Sequence, residues 1–165
     1  MIFGLTPFVA FHTAITLVAI VSGLLMLAAM LRNDRADLMT AIFLLFSVLT
    51  AVTGFMIQVK PVSPAVALGF VLGGLLLFAL LGRYVFAMRG AWRWIYVVTA
   101  VAALWSNCFV LVVQTFSKFP ALHAIAPGNP PSGPVFGAVQ GVVLIGFIFA
   151  GYLALRRFHP RPTNG

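Results

Sequence analysis

Long uncharged apolar runs, five of them, fill most of this 165-residue chain, and they constrain it more than any motif it contains. A helix needs about 20 apolar residues to cross roughly 30 Å of hydrocarbon, and each run is of that order. They cover residues 8–31, 38–59, 65–88, 91–117 and 135–155. Arg32 to Arg35, then Lys60 with Pro61 and Pro64, then Arg89 with Gly90, and last the stretch 118–134 separate them. The pattern predicts an all-α fold: one transmembrane domain spanning residues 1–165, built as a bundle of five membrane-crossing helices. Hydrophobic residues make up 62% of the chain and charged residues 7%, too little charge to clothe a soluble domain of this size.

The net charge of +8 would suggest nucleic acid in a soluble protein, but here the bases flank apolar runs, where they set topology. No nucleic-acid partner is expected. Five crossings put the termini on opposite sides. With the N-terminus outside and the C-terminus inside, all the arginines (32, 35, 83, 89, 93, 156, 157 and 161) fall inside, leaving only Lys60 and Lys118 outside. Positive residues favour the inner side, so that orientation is the expected one. Trp92, Trp94 and Tyr96 then lie near the inner interface, where amphipathic rings are favoured. Asp34 and Asp37, the only acids, are expected to form a solvated network with Arg32 and Arg35, and the remaining inner arginines to snorkel.

Polar side chains within the apolar runs must find partners or line a wet cavity. On this topology they gather toward the outer side. His12 lies one turn inside the first helix, and Gln58 with Lys60 closes the second. Asn107, Gln114 and Lys118 share one face of the fourth, Gln140 lies about two turns into the fifth, and His123 sits in the outer connection. These eight residues are the candidate ligand site, an outward-facing polar pocket for an amphipathic or anionic molecule such as a lipid or quinone. The connection KFPALHAIAPGNPPSGP holds half of the chain's prolines. Pro120 should start a short helical turn that Pro127 and Gly128 end, either a lid over the bundle or a stiff surface loop.

Missing chemistry narrows the function further. No spanning segment carries a carboxylate, which removes carboxylate proton relays, paired-carboxylate catalysis and carboxylate metal centres from a single chain. The lone Cys108, near mid-span, reads as a packing residue, and no phosphate loop or dinucleotide fingerprint occurs. An independent hydrolytic enzyme is not expected, and no cofactor is assigned. Haem b, with His12 and His123 as axial ligands, is the alternative site, and quinone chemistry is its companion. A small channel or transporter and a structural or assembly partner also stay open. For the last, Gly69 with Gly73, Gly137 with Gly141, and Ala19 with Gly23 have the spacing of close helix approach, within the bundle, to a membrane-protein partner or to a second copy.

The segment NCFVLVVQTFSKFPALHAIAP at 107–127, the run from Val135 through QGVVL, and TGF at 53–55 resemble a widespread group of small five-helix bacterial inner-membrane proteins. The resemblance implies a multi-pass protein of the bacterial cell membrane. It implies no activity, cofactor or substrate.

Overall fold

The computed structural model describes residues 6–57 and 64–160, all in helices and their connections. Helix α1 is Pro7–Leu31, α2 Asp37–Ile57, α3 Pro64–Leu80, α4 Ala91–Lys118, α5 Pro120–Ile125 and α6 Pro134–Arg157. A π-helical turn, Leu81–Val85, extends α3. All but α5 are long and apolar enough to cross a membrane. Gln58, Lys60 and the end of the second predicted run lie outside the described residues.

Local chemistry sets the boundaries. Thr6 caps α1, its hydroxyl accepting from the Val9 N–H at 3.4 Å, with Pro7 in the first turn, where a missing N–H is harmless. At the other end the Asn33 N–H donates to the Met30 carbonyl and the Asp34 N–H to that of Ala29, the paired bonds of a Schellman ending. Asn33 takes the left-handed conformation this ending needs, at φ 60°. Asp37 then opens α2 where the helix dipole favours a negative charge. Pro120 and Pro134 start α5 and α6 in the same way as Pro7.

The third helix ends earlier than its apolar run suggests, at Val85 rather than residue 88. Ala87 and Met88 adopt positive φ, and the chain reverses there into Gly90 at φ 53°. The π turn adds a residue to the last helical turn, and Gly82 lets that turn lie against α4. A β-carbon at Gly82 would stand 3.1 Å from Tyr96 Cβ and 3.2 Å from the Trp92 carbonyl. Small differences elsewhere extend α4 to Lys118 and widen α6 to Pro134–Arg157.

Helix α4 is the hub: α1, α3 and α6 all pack on it, while α2 lies against α1 and α3. Its 28 residues correspond to about 42 Å, more than a bilayer's hydrocarbon thickness. The apolar core fills the half of the bundle that carries the arginines. Met26, Met30, Phe43, Leu44, Tyr96 and Phe158 are fully buried there. Gly23 is where α1 sinks into this core, since a β-carbon would stand 2.5 Å from Leu104 Cδ1 and 2.7 Å from Phe43 Cδ2. Of the other small-residue positions, Gly69 abuts Phe55, whereas among the described residues nothing stands within 4 Å of a β-carbon built at Gly73, Gly137 or Gly141. The expected close approach is therefore realised at Gly23 and Gly69.

The acidic loop is not a network closed on itself. Arg83, only 4% exposed, turns inward from the π turn and donates to the Asp37 carboxylate, and at 3.3 Å to the Arg35 carbonyl. Its guanidinium also lies over the Tyr96 ring, 5.5 Å from the centroid. Arg83 is thus not a snorkelling anchor but a strut between α2, α3 and α4. The physical reason is that the Asp37 carboxylate, the Arg35 carbonyl and the Tyr96 ring give its guanidinium partners inside the bundle. Arg93 works similarly, donating to the carbonyls of Leu155 at 3.0 Å and Phe158 at 2.8 Å, the otherwise unsatisfied end of α6. Asn33 completes the closure by accepting from the His159 N–H at 2.7 Å.

Candidate functional site

The polar residues of the other half meet hydroxyls on α2. Thr53, Thr50 and Ser47, spaced three apart, form a buried stripe along that helix. His12 Nδ1 lies 2.7 Å from Thr53 Oγ1, and Thr16 Oγ1 lies 3.2 Å from Thr50 Oγ1. Asn107, 2% exposed, donates from Nδ2 to Ser47 Oγ at 3.0 Å. The result is a hydrogen-bonded seam joining α1, α2 and α4. In hydrocarbon such bonds hold helices together with modest strength, on the order of 1 kcal/mol each.

The remaining candidates are placed apart from that seam. Gln114 and Lys118 continue the Asn107 face of α4 but are exposed, and His123 is exposed on α5. Gln140 is 9% exposed on α6 and turns toward α4, its Nε2 donating to the Phe109 carbonyl at 3.2 Å. For the haem alternative, His12 has Nδ1 engaged by Thr53 and His123 stands on the surface of α5. Among the described residues no group of three or more His, Cys, Asp or Glu side chains is arranged to hold a metal ion.

Two furrows run along the bundle. One, of about 320 Å³, lies along Leu17, Val18, Val21 and Met39 between α1 and α2, and its one polar member, Ser22, already donates to the Val18 and Ala19 carbonyls. The other, about 360 Å³, lies between α4 and α6 and is lined by Val98, Val101, Trp105, Leu144, Phe147 and Gly151 among others. The two helices also touch directly at two places. Gly151 brings α6 to within 3.3 Å of Val101 Cγ1 for a built β-carbon, and Phe136 meets the edge of Phe116 with ring centroids 5.5 Å apart.

Trp105 lines this second furrow, whereas Gln140 is not among its lining residues. Among the described residues Trp105 Nε1 is buried with no hydrogen-bond partner, and so is Gln140 Oε1, the other half of the amide that holds Phe109. An unsatisfied buried group costs about 1–3 kcal/mol, so two along one helix interface call for an explanation. Trp105 stacks obliquely on Phe109, with centroids 5.6 Å apart, which fixes the indole beside the furrow. The sequence carried one signal for this residue: tryptophan favours membrane interfaces, and Trp105 stands at mid-span.

Comparison with protein-family models, with curated proteins and with solved structures finds no match for this chain.

Proposed function

We propose that this chain is a non-enzymatic bacterial inner-membrane protein, akin to the small five-helix proteins it resembles, which binds a small lipid-soluble ligand between α4 and α6. The carrying observation is Trp105 Nε1, a buried polar atom without a hydrogen-bond partner among the described residues, on a side chain that lines a furrow of ligand-pocket size. His12, Thr16, Ser47, Asn107, Thr50 and Thr53 are assigned to helix association, since each has a partner across the seam. Lys118, Gln114 and His123 form the outer, headgroup-facing end. The arginines gather at the opposite end, which supports an N-terminus outside and a C-terminus inside. A reporter fused after residue 165 should be active only in its cytoplasmic form.

Native mass spectrometry from mild detergent tests the ligand reading. The wild type should retain a small molecule that Trp105→Phe loses while keeping its thermal midpoint. A wild type that carries nothing, and that no variant alters, would remove the proposal.

A second reading has one observation of its own. Much of α6 is uncovered, with Ile145, Ile148 and Phe149 each more than 60% exposed and Gly137 and Gly141 facing open space. That flank suits an assembly role, and disulfide cross-linking through Ile145→Cys in membranes would reveal a second copy.

A further inference from the structure

Resting on the ligand-binding reading, we infer that the molecule held between α4 and α6 is an anionic phospholipid, one acyl chain lying in the furrow and the phosphate seated on Arg156 beside Tyr152.

Length comes first. Along α6 the furrow runs from Leu144 to Leu155, eleven residues or roughly 16 Å, and on α4 it reaches Trp105. Trp105 is 14 residues from Ala91 and 13 from Lys118, which places it near mid-membrane. Leu155 marks the other extreme, directly before Arg156 and Arg157. The furrow thus covers about half of a hydrocarbon layer roughly 30 Å thick, the depth of one leaflet. A chain tethered by its head at one membrane surface fits a slot of that extent.

Lining comes second. Val98, Val101, Leu144, Ile148 and Leu155 offer hydrocarbon to such a chain. Trp105 Nε1 is itself buried, so gripping the head falls to the opposite end of the furrow.

Charge comes third. Arg156 folds back over Tyr152, which lines the furrow. Its guanidinium lies 5.8 Å from the ring centroid, and Nη1 donates to the Tyr152 hydroxyl at 3.3 Å. Both side chains are exposed, and so is Arg157. Of the two acids in the chain, Asp37 is taken by Arg35 and Arg83, and among the described residues neither Arg156 nor Arg157 has an ion-pair partner. Arg93, by contrast, is committed to the last carbonyls of α6. The remaining N–H groups of Arg156 suit phosphate oxygens, and the Tyr152 hydroxyl, which accepts from Arg156, keeps its own proton to donate. Trp94, exposed and one turn from Val98 on the same face of α4, borders this mouth with a further N–H. Basic clefts between membrane helices favour anionic headgroups; a zwitterionic lipid brings its own cation and gains less.

The test uses the full-length protein in nanodiscs of equal phosphatidylglycerol and phosphatidylcholine, read by native mass spectrometry. The wild type should retain phosphatidylglycerol several-fold over phosphatidylcholine. Arg156→Gln with Arg157→Gln should cut that enrichment about tenfold, the loss of a charge-assisted contact, without lowering the thermal midpoint. Arg156→Lys with Arg157→Lys keeps the charge but not the forked geometry and should lose several-fold; full enrichment in this pair means attraction by surface charge alone and overturns the assignment. Ala102→Phe, which fills the furrow and leaves both arginines, should reduce retention as well. Equal retention of the two lipids by the wild type also overturns it. If the wild type then still carries another small molecule, the broader reading survives and only this inference fails; if it carries none, both fall.

Discussion

Arg83, buried at the π turn that follows α3, donates to the carboxylate of Asp37, whose own side chain is 66% exposed at the start of α2. The pair therefore straddles the edge of the core, with the cation inside and the anion at the water-facing rim. Its two members should respond unequally to mutation. Asp37→Asn strands a buried guanidinium and should lower stability by about 1–2 kcal/mol, the small end of the range because the carboxylate is partly solvated. Arg83→Met removes the charge and keeps the stem, so the double variant should be more stable than Asp37→Asn alone. Thermal midpoints in one detergent check the order; a double variant that is the worse of the two would refute the strut.

The Asn107–Ser47 bond is the deepest link of the polar seam. A double-mutant cycle with Asn107→Leu and Ser47→Ala should give a coupling of about 0.6–1.5 kcal/mol, typical of hydrogen bonds between membrane helices. Coupling near zero would mean the two side chains stabilise the bundle independently.

Glycine positions should separate cleanly. At Gly23 an added methyl meets Leu104 and Phe43, both fully buried and unable to yield, so Gly23→Ala should destabilise by about 1–3 kcal/mol. At Gly73 no described residue stands within 4 Å of the added methyl, and Gly73→Ala should be neutral or slightly stabilising. Equal midpoints for the two variants would contradict the packing described.

Arg93 sits in the first turn of α4, where a positive charge is disfavoured by the helix dipole, and its two carbonyl partners at the end of α6 account for it. Arg93→Gln should lower hydrogen-exchange protection around residues 154–158 several-fold while leaving α1 and α2 unchanged. Unchanged exchange at the end of α6 would show that Phe158 and Asn33 hold it without the guanidinium.

The spans were legible because an uncharged run of about 20 residues has few other fates, whatever its neighbours. Pro7, Pro120 and Pro134 likewise announced helix starts by local sterics alone. The π turn was not legible, since LGRYV continues the apolar pattern of α3 and the extra residue appears only once Gly82 meets Tyr96. For the same reason Arg83 read as an anchor and not as a strut. His12, Asn107 and Gln140 stood out as polar groups in apolar helices, but their partners depend on packing, which gives His12 the Thr53 hydroxyl, Asn107 the Ser47 hydroxyl and Gln140 the Phe109 carbonyl. Trp105 stood out only as a tryptophan at mid-span, because whether its N–H finds a partner depends on packing.

Helix α6 is fastened near both tips, by Arg93 at one and by Gln140 and Phe136 toward the other, and the gap between them is flanked by exposed Val98, Leu144 and Ile148. Such a slot opens sideways into the acyl chains. A solute already dissolved there would arrive by lateral diffusion within the leaflets, shedding no hydration shell, and occupancy would follow its mole fraction in the bilayer instead of its aqueous concentration.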